Sequence, residues 1–263
     1  MQGRVMTDDK GTRRAYEAPA LDKGLEIVEL LAGRSEALGM AEIATALGRS
    51  RNEIYRMLMV LERRGYLQRR NDDRFELSNR LFSLAMSAPP LRNLHDAALP
   101  VMHRLADTLF QSCHLAVRSG HEIVIVARVE SPDLLGFAVR VGYRRPAMLS
   151  TSGRVLFASL DREQQDDWLA EMVAEGSWSQ EETDGFLADC RRIGAKGYHM
   201  GPSVFVDAIT DLGVAIVDGA SEGAVAALTL PFVSGRSARS TMDDALAAVR
   251  KGGDAISDTL RHG

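Results

Sequence analysis

The segment Met40–Arg70, MAEIATALGRSRNEIYRMLMVLERRGYLQRR, decides the fold of the N-terminal part of this chain. Its first part, up to Gly48, has apolar residues at helical spacing and predicts a helix of about two turns. A second helix is predicted from Ser50 onward, because Ser50 and Glu53 have the spacing of a capping box. Gly65 follows the last turn as a stop signal. Two helices joined by so short a turn predict a helix-turn-helix.

The second helix of this motif has one apolar face and one polar face. Ile54, Leu58 and Leu61 recur at a spacing that places them on the same side, where they would pack into a core. The other side offers guanidinium, amide and phenol groups, as expected of a helix presented to the major groove of DNA. The residues on that side are Asn52, Tyr55, Arg56, Met59 and Arg63. A solvated polar face without a partner is the alternative interpretation of this helix taken alone.

A hairpin is predicted directly after the second helix, in Tyr66–Leu77. The sequence NDD at 71–73 favours a turn between two short apolar runs. Such a hairpin would form the wing of a winged helix. Arg69, Arg70 and Arg74 would lie along it, in reach of phosphates or a minor groove.

Charge is distributed unevenly along the chain. The whole protein has 32 Lys and Arg against 36 Asp and Glu, a net charge of −4. Residues 48–74 contain eight Arg and four acidic side chains, whereas residues 91–263 contain 17 basic and 23 acidic ones. A basic segment inside an acidic protein is typical of a DNA-contacting module.

Length and composition indicate a globular protein of two domains. The 263 residues exceed what a winged helix needs, and 45% of them are hydrophobic at a mean hydropathy of −0.12. No apolar run approaches the ~20 residues that span a bilayer. Cys113 and Cys190 are too few for a disulfide framework. We therefore expect a cytoplasmic protein with reduced thiols, no membrane partner and a flexible N-terminal tail.

Helices and strands alternate over the remaining chain. A first helix over Leu21–Ala32 would complete the DNA-binding head, which also contains the helix-turn-helix and the wing. Its residues Leu21, Leu25, Val28 and Leu31 would face inward. A short helix over Asn79–Ser87 is predicted to stop at the two prolines that follow. The later expected elements are a helix over Asn93–Leu109, a hairpin over Ser112–Val129, a strand over Gly136–Val141, helices over Ser152–Leu160 and Gln180–Arg192, strands over Ala208–Val217 and Ala224–Pro231, and a closing helix over Arg236–Arg261. This order predicts an α+β domain with a mostly antiparallel sheet.

Motifs of enzyme chemistry are missing from the sequence. There is no G-x-S-x-G elbow, no P-loop and no G-x-G-x-x-G, and the six histidines lack metal-ligand spacing with the cysteines. Cys113 and His114 are neighbours in a predicted strand, so their side chains point to opposite faces and cannot form a dyad. We expect no catalytic residue, metal or cofactor. A small-molecule enzyme with an accessory winged helix, and a protein-interaction module that no longer binds DNA, are the alternatives.

Five segments, taken in order, resemble the IclR family of bacterial transcriptional regulators over about residues 20–262. They are LDKGLEIVELLA, MAEIATALGRSRNEIYRMLMVLERRGYL, HLAVRSGHEIVIVARVESPD, RVGYRRPAMLSTSGRVLFA and ITDLGVAIVDGASEGAVAALTLP. The resemblance implies a winged helix-turn-helix joined by a linker helix to a GAF-like effector-binding domain. On that pattern the chain divides into a tail (1–19), a DNA-binding domain (20–78), a linker helix (79–92) and an effector domain (93–263).

The resemblance also implies a function. Such proteins are dimers or tetramers that bind palindromic operators in double-stranded DNA and respond to a small metabolite, often an organic or aromatic acid. The recognition-helix positions of the family fall here on Arg51, Asn52, Tyr55 and Arg56. With the neighbouring basic positions, the expected DNA-binding residues are Arg49, Arg51, Asn52, Tyr55, Arg56, Arg69, Arg70 and Arg74.

The effector-binding positions implied by the resemblance are Leu149, Ser152, Gly153, Asp211 and Thr229. Asp211 stands where many members carry a small or sulfhydryl side chain. A buried carboxylate there would disfavour an anionic effector unless it is paired, for which Arg140 or Arg144 are candidates. A structural role for Asp211, capping a strand or a loop, is the alternative. The acidic pair common after the Gly-Tyr dipeptide is also missing, since HMGPSV follows Gly197-Tyr198.

Overall fold

In the computed structural model of the protein, the described residues are 18–134, 136–203, 206–221, 223–234 and 240–262. The chain forms two compact units, one ending at Ala88 and the other beginning at Pro89. Residues 1–17, most of the predicted tail, lie outside the described residues. Pro19, the last residue of that predicted tail, begins the first helix instead.

The first unit is a winged helix. Its elements are α1 (Pro19–Ala32), β1 (Leu38–Gly39), α2 (Met40–Ala46), α3 (Arg51–Arg63), β2 (Leu67–Arg69), β3 (Arg74–Leu77) and α4 (Arg80–Ser87). The strands form an antiparallel sheet in the order β1-β3-β2. Ile27, Ile43, Ile54 and Leu58 are fully buried between the helices and this sheet. The predicted helix-turn-helix and wing are confirmed.

The ends of α3 are set by local interactions that the sequence predicts. The Ser50 side chain accepts a hydrogen bond from the Glu53 backbone N–H, and the Ser50 N–H donates to Glu53 Oε2 at 3.1 Å. A cap of this kind contributes roughly 1 kcal/mol. Gly65 follows the helix at φ +77°, a conformation that carries no Cβ penalty in glycine. Both ends of α3 are therefore specified by residues in or next to the helix.

The inward face of α1 differs from the prediction. Of the four residues expected to face the core, only Leu31 is buried, and Leu21 and Leu25 are 62% and 50% exposed. Ile27 takes the central core position and Val28 is half-buried. The helix is apolar on more than one side, so periodicity alone does not determine which side packs inward.

The connection between the units also differs from the predicted linker helix of 79–92. The helix α4 ends at Ser87, and Ala88 is extended. The two prolines at 89 and 90 then begin α5 (Pro89–Leu109), where a helix had been expected only from Asn93. Proline is tolerated in a first helical turn, because the N–H groups there have no intrahelical acceptor.

The second unit is built on one six-stranded sheet. Its elements are α5, β4 (Cys113–Ser119), β5 (Glu122–Val129), β6 (Arg144–Pro146), a 3₁₀ turn (Ala147–Leu149), α6 (Thr151–Ala158), α7 (Arg162–Glu175), α8 (Gln180–Lys196), β7 (His199–Pro202), β8 (Ile209–Ile216), β9 (Ala226–Val233) and α9 (Met242–His262). The strand order is β6-β5-β4-β9-β8-β7, and each neighbouring pair is antiparallel. The predicted α+β class is confirmed.

Helices cover both faces of this sheet. The helices α5 and α9 pack on one face, against Leu212 and Val214 of β8. The helices α6, α7 and α8 lie on the other, where Phe157 and Trp168 are fully buried. Because alternate residues of a strand face opposite sides, Asp211 lies on the α6 side of β8. None of the described helices has the length and apolar character needed to cross a membrane.

Two predicted elements of this unit need correction, and two further elements were not predicted. No strand forms over the described residues 136–141, and the strand that pairs with β5 is β6, a few residues later. The polar helix α7 and the Gly- and Pro-containing edge strand β7 were not predicted, because neither has a clear apolar period. The closing helix begins at Met242 rather than at Arg236, and residues 235–239 lie outside the described residues.

Candidate nucleic-acid interface and ligand cavity

The outer face of α3 carries the four predicted recognition residues. Arg51, Asn52, Tyr55 and Arg56 are all exposed, and Tyr55 is 53% exposed. Within the described part of the chain, no hydrogen bond or ion pair engages the Arg51 or Arg56 guanidinium. Arginine can bind guanine and asparagine can bind adenine through two hydrogen bonds each in the major groove. This face is therefore free to contact bases.

Two other predicted DNA contacts, Arg49 and Arg74, bind within the winged helix. Arg49 donates from Nε and Nη2 to the two carboxylate oxygens of Glu26 in α1, at 3.1 and 2.7 Å. The hydrogen bond from Arg49 lowers the pKa of Glu26. Arg74 donates from Nε to the carbonyl oxygen of Ala37 and from Nη2 to Glu42, both at 2.8 Å. Both arginines thus connect elements of the head, and their DNA contacts stay a prediction.

The two remaining wing arginines form exposed ion pairs. Arg69 lies 2.9 Å from Asp73, and its guanidinium also lies 5.5 Å from the ring centroid of Phe75. Arg70 lies 2.6 Å from Glu76. The hydrogen bond from Gln68 and then the contact with Arg70 lower the pKa of Glu76. Ion pairs as exposed as these contribute little to stability. DNA phosphates can therefore compete with the acidic partners.

A ligand cavity lies between the start of α6 and the sheet of the second unit. Its enclosed space is small, about 20 Å³, and reaches about 380 Å³ only when the open space at its mouth is included. Three of the predicted effector contacts, Ser152, Asp211 and Thr229, line it, and Ile125 and Phe137 add apolar walls. An apolar cavity with a few convergent polar groups is the usual form of a small-molecule site.

Two side-chain hydrogen bonds connect the first turn of α6 to the sheet at this cavity. Thr151 Oγ1 donates to Asp211 Oδ2 at 3.0 Å. The Ser152 and Thr229 hydroxyls are hydrogen-bonded to each other at 2.9 Å. All four side chains are buried. A ligand that forms hydrogen bonds here must therefore share or replace these contacts.

The other two predicted effector contacts do not line the cavity. Leu149 is 38% exposed. Gly153 lies behind the lining: its N–H donates to the Ser150 hydroxyl at 2.9 Å, and a Cβ built on it would lie 2.1 Å from the Ala147 carbonyl oxygen. Gly153 therefore permits the close packing that shapes the cavity.

The arginine that lines the cavity differs by one position from an arginine expected from the sequence. Of the two arginines expected as partners for Asp211, Arg140 and Arg144, neither lines the cavity, and Arg144 donates from Nε to Glu122 at 2.8 Å. Arg145 lines the cavity instead, together with His114. Adjacent residues of a strand point to opposite sides, so a single-residue difference exchanges a surface arginine for a cavity arginine.

Burial changes the proton equilibria of two cavity groups. Desolvation raises the pKa of Asp211, and hydrogen bonds from Thr151 and Ser203 offset part of that rise. Desolvation also lowers the pKa of His114 to about 4, so its imidazole is neutral at pH 7. The cavity therefore presents a guanidinium, a neutral imidazole and a carboxyl group that ionises at a cost.

The Asp211→Asn variant should be more stable than the wild type by a margin that grows with pH. A carboxyl group whose pKa is raised by folding stabilises the folded state most below its unfolded pKa, near 3.8, and loses that contribution as pH rises through the folded value. The asparagine side chain does not ionise, so it adds no pH dependence to the stability. Thermal unfolding of both proteins between pH 4 and 8 should show this, and curves that keep a constant separation would contradict the raised pKa of Asp211.

One unit has a basic recognition helix and wing, and the other has a mostly apolar cavity with a few polar groups. Together they define the class of transcriptional regulators that have a DNA-binding head and a second, ligand-binding domain. Comparison with known families agrees. The model for the IclR helix-turn-helix domain matches residues 20–71, and that for the bacterial transcriptional regulator IclR C-terminal domain matches residues 90–258. The chain belongs to the IclR family, which confirms the resemblance seen in the sequence.

The individual relatives are distant in sequence, and they agree with this family assignment. The chain is 25% identical over 228 residues to the Pca regulon regulatory protein of Pseudomonas putida, covering 85% of this chain and 77% of the relative. It is 29% identical over 154 residues to the p-hydroxybenzoate hydroxylase transcriptional activator of Acinetobacter baylyi, covering 57% and 56%. The fold matches an IclR homologue from Microbacterium hydrocarbonoxydans complexed with 4-hydroxybenzoate, with TM-score 0.77 and 20% identity over 93% of this chain and all of that one.

Proposed function

We propose that this regulator binds a palindromic double-stranded DNA operator through α3 and releases or retains it according to a small organic acid in the cavity of the second unit. The observation that supports DNA binding comes from the outer face of α3. Arg51 and Arg56 are exposed there and have no partner among the described residues. The acidic character of the rest of the chain supports contact through the head alone.

We propose that two copies of the chain bind together, as a palindromic site requires. The helix α4 supports this, because it has no buried residue although Leu81, Phe82 and Leu84 lie on it. Leu21 and Leu25 of α1 are exposed in the same unit. Apolar side chains in such number on one small unit are typical of an interaction surface. A second copy of the chain is the occupant that a symmetric operator calls for.

The proposed effector is an organic or aromatic acid that carries a hydroxyl group. Arg145 lines the cavity and matches a carboxylate, while Phe137 and Ile125 match a ring. Asp211 would accept a hydrogen bond from the hydroxyl group. The 4-hydroxybenzoate found in the Microbacterium homologue has this chemistry. We also propose that the chain works in the cytoplasm with no cofactor and no catalytic step.

Capture of genomic fragments tests the proposal. The intact protein should select fragments that share an inverted repeat, and gel shifts of those fragments should change when 4-hydroxybenzoate or benzoate is added. Sedimentation of the protein–DNA complex should give an even number of chains per site. Failure to enrich any sequence would favour the protein-interaction alternative. Chemical conversion of a bound acid, followed by chromatography, would favour the enzyme alternative.

Asp73→Asn should strengthen binding to DNA of arbitrary sequence. The substitution releases Arg69 from its ion pair, and asparagine tolerates the φ of +62° at this position. One added phosphate contact increases the salt slope by about 0.9 and the affinity by up to about eightfold at 0.1 M salt. Fluorescence anisotropy with a random duplex at several salt concentrations measures both.

The matched control for this prediction is Asp166→Asn. Asp166 forms an ion pair with Arg162 at the same i,i+4 spacing, but in the second unit. The Asp166→Asn substitution removes the same charge and should leave the salt slope of DNA binding unchanged. Equal effects of the two variants would show that net charge, and not the wing pair, limits the binding of random DNA.

A further inference from the structure

A second cavity lies beside the effector cavity, and Thr151 lines both. It is an open groove of about 1000 Å³ between α6, α8 and the edge strand β7. The register of the sheet explains the arrangement: Gly201 of β7 pairs with Asp211 of β8, so the groove continues the sheet face on which the effector cavity lies. Thr151, in the first turn of α6, thus lies between two neighbouring cavities.

The groove is basic although the second unit as a whole is acidic. Arg154, Arg192 and Lys196 line it, against the single carboxylate of Asp189, which pairs with both arginines. With a neutral His199, whose pKa burial lowers to about 4, the lining carries a net charge of +2. This charge complements a dianion.

Two buried polar atoms of the groove have no hydrogen-bond partner among the described residues. They are Arg154 Nε and His199 Nε2. Arg154 Nε lies 3.2 Å from Asp189 Oδ2 but outside hydrogen-bond geometry. His199 Nε2 lies over Gly201, at 3.0 Å from where a Cβ would stand. Buried polar atoms in proteins normally have a partner, so atoms without one commonly mark the place of a bound water, ion or ligand.

The rest of the lining is apolar or aromatic and includes Ile193, Tyr198, Met200 and Pro202. A groove of this size and composition has room for a carbon skeleton as well as for charged groups. We propose that it is a second ligand site, which binds a small organic dianion, either a dicarboxylate or a phosphate monoester, on Arg154, Arg192 and Lys196.

The two sites are coupled through Thr151 and Arg154. The Thr151 hydroxyl donates to Asp211 in the effector cavity. Burial raises the pKa of that aspartate, and the charge of Arg154 offsets part of the rise. An anion on Arg154 weakens this electrostatic effect, so Asp211 takes up a proton more readily and repels an anionic effector less. The dianion and the effector therefore bind with positive cooperativity, by the same factor in each direction. This coupling rests on the proposed function, whereas dianion binding does not.

Calorimetry on the full chain tests the groove with succinate and glycerol 3-phosphate as the two kinds of dianion, and with acetate and glycerol as controls. At least one dianion should bind, with acetate and glycerol at least tenfold weaker. The Arg192→Ala/Lys196→Ala double variant should lose at least tenfold in affinity, since it removes both exposed cations. Arg191→Ala should bind as the wild type does, because Arg191 lies on the same helix but does not line this groove.

The groove proposal is overturned if neither dianion binds, if acetate binds equally well, or if Arg191→Ala loses as much affinity as the double variant. A saturating dianion should also tighten 4-hydroxybenzoate binding, and Asp211→Asn, which removes the group that takes up the proton, should abolish that effect. Unchanged 4-hydroxybenzoate affinity would overturn the coupling alone. Because no DNA is present, failure of the operator experiments refutes the proposed function without affecting this result.

Discussion

Gly153→Ala is expected to destabilise the second unit by about 3 kcal/mol or more, the upper part of the range for overpacked sites. The added Cβ would lie 2.1 Å from the carbonyl oxygen and 2.6 Å from the Cα of Ala147. Both are backbone atoms of the turn before α6, so no flexible side chain can move aside. The first turn of α6 would have to separate from the 3₁₀ turn.

That separation removes more than one contact. The Ser150 cap of α6 and the hydrogen bond from Thr151 to Asp211 both depend on where this turn lies. We therefore expect Gly153→Ala to lose effector binding together with stability. Thermal unfolding followed by circular dichroism, and calorimetric titration with 4-hydroxybenzoate, measure the two effects.

Gly185→Ala is the matched control. Gly185 lies inside α8, and nothing lies within 4 Å of the position of its Cβ. Alanine in a helix interior is favoured over glycine by roughly 0.5–1 kcal/mol, so this variant should be slightly more stable than the wild type. A Gly153→Ala protein that unfolds at the wild-type temperature would show that the turn relaxes freely.

Arg56→Ala is expected to weaken operator binding by about 1–3 kcal/mol, or roughly 5- to 150-fold, if Arg56 contacts a base. The guanidinium is exposed and has no partner among the described residues, so the fold should be unaffected. Anisotropy titrations with the captured operator and with a scrambled duplex measure the loss and its dependence on sequence.

Arg49→Ala gives the contrasting result. Arg49 binds Glu26 through two hydrogen bonds and connects the turn to α1, so its loss should lower the stability of the head. Hydrogen exchange of the α1 amides in the intact protein would show this. If instead Arg56→Ala binds the operator as the wild type does, the outer face of α3 is not the reading surface.

The features that could be predicted from the sequence are those that depend on neighbouring residues. The capping box of Ser50 and Glu53, the stop at Gly65 and the hairpin turn at 71–73 each act within a few residues of chain, and the winged helix formed as predicted. The hairpin of β4 and β5 was equally local, since its alternating apolar residues and the turn at Gly120 are contiguous.

Predictions failed where a segment could pack in more than one way. The helix α1 has apolar residues on several sides, and only the arrangement of α2, α3 and the wing selected Ile27 over Leu25 for the core. The edge strand β7 contains glycine and proline and has a partner only because β8 comes to lie beside it. Long-range pairing of this kind leaves no periodic pattern in either segment.

By itself the sequence determined the winged helix and the α+β class, because caps, turns and apolar periods are properties of short segments. Three residues that line the cavity were identified through the resemblance to the IclR family and not through any local pattern. Only the tertiary structure decided where each arginine side chain lies. It placed Arg51 and Arg56 in solvent, used Arg49 within the head, and brought Arg145 rather than Arg144 to the cavity. The availability of a charged side chain depends on which distant residues come near it, and those distances exist only in the folded chain.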